Sequence, residues 1–215
     1  MAPCGGRALK CLAPRAVFLD THGTLLEHVP HELHPARIRL LASVMSGLRI
    51  LAARGYALVV VGNEPDVARG FIDPALVDAV AERLGELLAP AGLELRGFYW
   101  CPHLPPSEAL RDGHEGCDCA MPAPGLLLRA AEEHGLDLVR SWIIGDVLDD
   151  VEAGHRAACR AVLIDNGQER DWQWSPLRTP EFVARNFLAA ARYIDRAAEH
   201  APKALYRRHA ELGHA

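Results

Sequence analysis

Short apolar runs and amphipathic stretches alternate along the chain. Ala16-Val17-Phe18-Leu19 is apolar throughout and ends on Asp20, the pattern of a strand buried on both faces. After a loop holding Gly23, Pro30 and Pro35, apolar residues recur at Ile38, Leu41, Val44, Met45, Leu48 and Leu51. That spacing predicts a helix over about 35–54, closed by Gly55. Residues 57–61, an unbroken apolar run, form a second strand. Asp73-Pro74 opens another helix, with aspartate at the cap and proline at the first helical position. A third strand is predicted over 93–100, a helix over 124–134 ended by Gly135, and a fourth strand over 142–144. A helix over about 149–158, a fifth strand over 161–164 and a last helix over about 181–199 complete the series.

Strand and helix alternating in this way predict an α/β protein. Its sheet is five- or six-stranded and mainly parallel, with helices on both faces and right-handed crossovers. One domain is expected over 15–200, with an N-terminal extension over 1–14 and a tail, expected to be a short exposed helix, over 201–215. The loop over 101–119 is an insert, and no large cap domain is expected. In open sheets of this kind ligands bind outside the carboxyl ends of the strands. Attention therefore falls on Asp20 to Thr24, Gly62 and Asn63, the 101–119 loop, and Gly145 to Asp150.

Composition narrows the function classes. A chain of 215 residues, 50% apolar and 24% charged, is globular rather than disordered. A net charge of −5 argues against a general nucleic-acid binder or a basic membrane-surface protein, while leaving room for a local anion site. No apolar run approaches the ~20 residues that span a bilayer, and the first twenty residues lack a secretory pattern. The expected compartment is the cytoplasm. There, six cysteines are metal-bound or free rather than disulfide-linked.

Two groups of residues carry candidate chemistry. Cys101, His103, Cys117 and Cys119 place three thiols and an imidazole within nineteen residues of Pro- and Gly-rich loop. Two tight pairs separated by a loop supply a tetrahedral zinc shell, and metal binding would offset the loop's ordering entropy. The alternative is a set of free thiols; His114 is a competing ligand, and Cys4, Cys11 and Cys159 have no partners at metal spacing. The second group is Asp20-Thr21-His22-Gly23-Thr24 after the first strand and Gly145-Asp146 after the fourth. Asp20 is placed to attack a phosphoryl group, with Gly23 allowing close backbone approach. Asp146 lies near it if strands one and four are neighbours, and two carboxylates with backbone carbonyls suit Mg²⁺. Asp149 is either part of this group or a helix cap. His28, His31 and His34 form a further cluster that would bind a metal or another ligand if not simply solvent-exposed.

Phe18-Leu19-Asp20-x-x-Gly23-Thr24-Leu25, Gly145-Asp146-x-x-x-Asp150 and Cys101-Pro-His103 … Cys117-x-Cys119-x-x-Pro122-x-Pro124-Gly125 resemble the haloacid dehalogenase superfamily. Within it the match is to the heptose-bisphosphate phosphatase group, near the histidinol-phosphate phosphatases, over about 15–195. The resemblance implies a three-layer Rossmann-like fold, an aspartyl-phosphate on Asp20, and sugar phosphates as the substrate class. It also implies Mg²⁺ held by Asp20, Asp146 and the His22 carbonyl, a structural Zn²⁺, and phosphate contacts at positions 62 and 63.

This chain departs from that pattern. The acid/base aspartate is replaced by His22, the phosphate-binding hydroxyl residue by Gly62, and a glutamine by Glu64. An Arg-Lys pair becomes Ala120 and Met121, and only Lys10 and Lys203 remain in the whole chain. Arg69 or Arg129 would have to supply the missing charge. Glu64 adds a carboxylate where like charge repels a phosphate. A general acid/base contributes ~10²–10⁴ in rate, and a charge-stabilising donor ~10²–10³. The expected function is therefore a phosphatase homologue with reduced or lost activity, acting as a binding or partner subunit through the tail or the Trp-bearing loop over 171–180. The alternative is an active Mg²⁺-dependent phosphomonoesterase with His22 as acid/base. A third possibility is different chemistry on the same fold, using the histidine-bearing loop.

Overall fold

The computed structural model describes residues 13–27, 34–105, 108, 116–167 and 172–200. Six strands run in one parallel sheet: β1 Ala16–Leu19, β2 Ala57–Asn63, β3 Leu95–Cys101, β4 Trp142–Gly145, β5 Arg160–Ile164 and β6 Phe182–Ala184. Their order is β3-β2-β1-β4-β5-β6. The helices are α1 Val44–Ala53, α2 Pro65–Ala68, α3 Pro74–Leu88, α4 Gly125–His134, α5 Leu148–Arg156 and α6 Phe187–His200.

The apolar runs explain why the sheet is central. Side chains alternate between the faces of a strand. Val17 and Leu19 of β1 enter one core with Val60, Ile144 and residues of α1, α3 and α6. Ala16 and Phe18 enter the other with Val59, Val61, Ile143 and residues of α4 and α5. Both faces of β1 are thus sealed from water, and the strand register near its end is firmly specified.

The predicted three-layer α/β fold is present, with six strands. Two boundaries differ by more than two residues. The helix expected from residue 35 starts at Val44. Pro35–Arg37 form a single 3₁₀ turn, capped by His34 Nδ1 accepting from Ala36 N. Residues 38–41 are recruited by the loop after β1 instead: Leu41 N donates to Leu25 O, and Leu40 bridges Leu26. Ile38 and Leu41 still pack on the core, so apolar spacing there marks burial without a helix. The last helix begins at Phe187, because residues 182–184 pair with β5 as an edge strand. The N-terminal extension through residue 12, His28, His31, His114, Cys4, Cys11 and the tail lie outside the described residues. Among the described residues no helix is long and apolar enough to cross a membrane.

Candidate active site

β1 and β4 are neighbours, with Leu19 opposite Ile144 and Asp20 N donating to Ile144 O at 3.0 Å. This register sets Asp20 beside Asp146, the residue just past β4. The chain then turns into α5, whose first turn carries Asp149 and Asp150. Asp20, Asp146 and Asp150 are all buried, and each offers a carboxylate oxygen within 4.8 Å of the others. Burial, then the charges of Asp150 and Asp146, pushes the Asp20 carboxyl well above its usual range. Burial and Asp146 do the same to Asp150. Three carboxylates cannot stay ionised together in so dry a place without a counter-charge. Their hard oxygen donors suit a divalent cation such as Mg²⁺.

Asn166, just beyond β5, steadies this cluster. Its Nδ2 donates to Asp146 Oδ2 at 2.8 Å and to Gly23 O at 3.3 Å. Gly23 has φ +81°, and a Cβ there would overlap Asp146 Oδ2, so no larger residue fits. Asp149 is not the cap of α5. Val147 holds that position and donates its N–H to Asp150 Oδ2, while Asp149 accepts from Arg178 Nη2 at 2.7 Å.

The β2 side carries the unusual residues. His22 Nε2 lies 3.3 Å from Glu64 Oε2, so the carboxylate expected to repel a phosphate instead engages the histidine. Asn63 is bonded to the backbone of Met121 in both directions: Nδ2 donates to its O at 3.1 Å and Oδ1 accepts from its N at 3.0 Å. Met121 is only 3% exposed and joins the core with Ala120. Neither candidate arginine faces this edge as a spare charge. Arg69 pairs with Asp66 and Glu108, and Arg129 lies over the Tyr99 ring and pairs with Glu133.

The second cluster lies at the end of β3. Cys101 closes that strand, and Cys101, His103, Cys117 and Cys119 bring their ligand atoms within 4.8 Å of one another. Cys101 Sγ is 3.6 Å from Cys117 Sγ and 3.0 Å from Cys119 Sγ, and His103 Nδ1 is 3.3 Å from both Cys101 and Cys119. None is in a disulfide. Burial pushes the Cys101 thiol up. Burial opposes the Cys117 thiolate too, yet hydrogen bonds from Cys119 and the Ala120 N–H lower that group overall. Thiolates and an imidazole meeting at one point suit a zinc ion, which would draw off the remaining thiol protons. Cys159 stands apart, buried, its thiol pushed up to about 12 by burial.

Asp20, His22, Gly62, Asn63 and Asp146 thus share one edge of the sheet, and the Cys/His group closes as a unit. Asp150 as a third carboxylate, Glu64 as the partner of His22, and Asn166 were not assigned from sequence. Asp150 had a signal in its place four residues after Asp146; Asn166 had one in its place just after β5.

A sheet of this order with an acid-lined carboxyl edge defines a haloacid dehalogenase-type fold. The solved structure of D,D-heptose 1.7-bisphosphate phosphatase from B. bronchiseptica, complexed with magnesium and phosphate, shares it. It superimposes with a TM-score of 0.70 at 22% identity, covering 85% of this chain and 99% of that one. A family model described as HAD-hydrolase-like matches residues 118–190. The D-glycero-beta-D-manno-heptose-1,7-bisphosphate 7-phosphatase of Photorhabdus laumondii is 38% identical over 157 residues, which is 71% of this chain and 81% of that protein. The protein of the same name from Escherichia coli K12 is 35% identical over 140 residues, 64% of this chain and 72% of its own. The chain belongs to the heptose-bisphosphate phosphatase-like family of the haloacid dehalogenase superfamily.

Proposed function

We propose that this protein is a Mg²⁺-dependent phosphomonoesterase acting on a sugar phosphate, at a turnover below that of relatives with the full set of catalytic residues. The observation that carries this reading is the convergence of Asp20, Asp146 and Asp150 in one buried cluster, an arrangement that is costly unless a cation occupies it. Asp20, Asp146, Asp150 and the His22 carbonyl would hold Mg²⁺, which when bound offsets the carboxylates and the phosphoryl charge. Asp20 attacks phosphorus as the bond to the sugar oxygen breaks, and His22 gives that oxygen its proton. Water then attacks the phospho-aspartate, losing a proton to His22 and freeing phosphate and Asp20. Glu64 fixes the His22 ring for both steps. Cys101, His103, Cys117 and Cys119 would hold a structural zinc. The substrate class follows the relatives, which are named as phosphatases of heptose 1,7-bisphosphate.

A second reading is a binding or partner subunit without hydrolysis. It is favoured by Met121, buried where the family pattern has a lysine, and by Trp174, 53% exposed and stacked on Trp172 in the loop after β5. Phosphate release from heptose 1,7-bisphosphate, with and without Mg²⁺, separates the two. The hydrolase reading expects slow, Mg²⁺-dependent release that disappears in Asp20→Asn. Equal rates in the two proteins would leave only the subunit.

A further inference from the structure

Gly62, a departure from the family pattern, lies close to Thr21. β1 and β2 are parallel and paired as far as Leu19 opposite Val60, and Thr21 and Gly62 each follow two residues beyond that pair. A Cβ built at position 62 would lie 2.9 Å from Thr21 Oγ1, 3.9 Å from Thr21 Cβ and 3.8 Å from Asp20 Oδ1. The Thr21 hydroxyl therefore fills the space that a side chain at 62 would take, beside the attacking carboxylate. Thr21 is buried, and it lines the same small pocket as His22, Gly62 and Glu64. The neighbouring candidate donor, Asn63, already has its amide bonded both ways to Met121.

We infer that Thr21 supplies the phosphoryl-binding hydroxyl of this site, moved from the end of β2 to the end of β1. Gly62 is then an accommodation rather than a loss: it leaves room for the relocated side chain. This inference rests on the phosphoryl site proposed above. A hydroxyl donor is preserved, whereas Arg69 and Arg129, the candidates for the missing charge, are paired with other groups. A hydrogen bond to a charged group changes affinity by roughly 10–100-fold.

The test is the Mg²⁺-dependent affinity for inorganic phosphate, measured by calorimetry on the full chain. Thr21→Val, which keeps the shape and removes the hydroxyl, should weaken phosphate binding roughly 10–100-fold, and Thr21→Ser should restore it. Gly62→Ser alone should weaken binding, because the new Cβ crowds Thr21 Oγ1. In Thr21→Ala the same Gly62→Ser change should strengthen binding, since the crowding atom is gone and the hydroxyl returns from β2. Wild-type affinity in Thr21→Val, or the same effect of Gly62→Ser in both backgrounds, overturns the relocation alone. If Thr21→Val does not fold, the opposite signs of Gly62→Ser in the two backgrounds still decide. Folded wild-type protein that binds no phosphate with Mg²⁺ overturns both this inference and the hydrolase. Phosphate bound as expected, without turnover, removes only the hydrolase.

Discussion

The carboxylate cluster and the Cys/His cluster are both sets of converging ligands, yet they are supported in opposite ways. Asp20, Asp146 and Asp150 sit at the ends of two central strands and the start of α5, above cores packed on both faces of the sheet. The scaffold holds these oxygens together against their own repulsion. Cys101 alone ends a strand; His103, Cys117 and Cys119 come from irregular loop. There, with zinc bound as proposed, the ligands would hold the backbone rather than the backbone the ligands. A cation is expected to change the energy of the first site and the order of the second.

The largest effect tests the first site. Asp20→Asn should lower turnover on the order of 10⁴-fold or more, as loss of a nucleophile does. It should also raise the thermal stability of Mg²⁺-free protein, since one of three repelling carboxylates is gone. Unchanged or lower metal-free stability would mean that the cluster is not strained. Next, Cys117→Ser should cut zinc affinity by more than the ~10–100-fold typical of outer-shell changes. Bound zinc would fall from about one per chain, and amide-exchange protection would drop around Cys101 to Cys119 while β1 and β4 keep theirs. Loss of protection throughout the sheet would erase the contrast between the sites.

Gly23→Ala should cost about 1–3 kcal/mol in unfolding free energy, from an unfavourable φ and overlap with Asp146 Oδ2. Mg²⁺ affinity should weaken with it, while zinc content stays constant; a matching fall in zinc would show the two sites to be coupled. The smallest effect is a pH dependence. Asp20 and Asp150 titrate above their unfolded values near ~4. As pH rises from there, the folded chain retains protons that the unfolded chain has released, so metal-free stability falls until the folded-state values are passed. Saturating Mg²⁺ should flatten this slope. The gap between Mg²⁺-bound and Mg²⁺-free unfolding midpoints should therefore widen from pH 4.5 toward neutrality by several degrees, with ~2–4 °C expected per kcal/mol at this size. A gap independent of pH would show that the carboxylates are already ionised without metal.

Much of this was legible along the chain. Apolar runs flanked by amphipathic segments marked the parallel sheet, and the strand ends marked Asp20 and Asp146. The Cys/His spacing marked the loop cluster because its ligands lie close in sequence. The misplaced start of α1 and the missed β6 have one cause: apolar spacing reports contact with the core, and Leu40 and residues 182–184 are paired with segments distant in sequence. The character of Glu64 shows the same limit. By sequence it is a misplaced charge; in the fold it holds His22.

Local patterning by itself determined the layers, the candidate nucleophile and the thiol ligands, because periodicity and short spacing act between near neighbours. Only the tertiary structure decided that Asp150 completes the acidic triad, that Asn63 clasps Met121 and that Thr21 stands where Gly62 lacks a side chain. Those relations depend on strand register and on how α5 leaves β4, and both are set by packing both faces of the sheet at once.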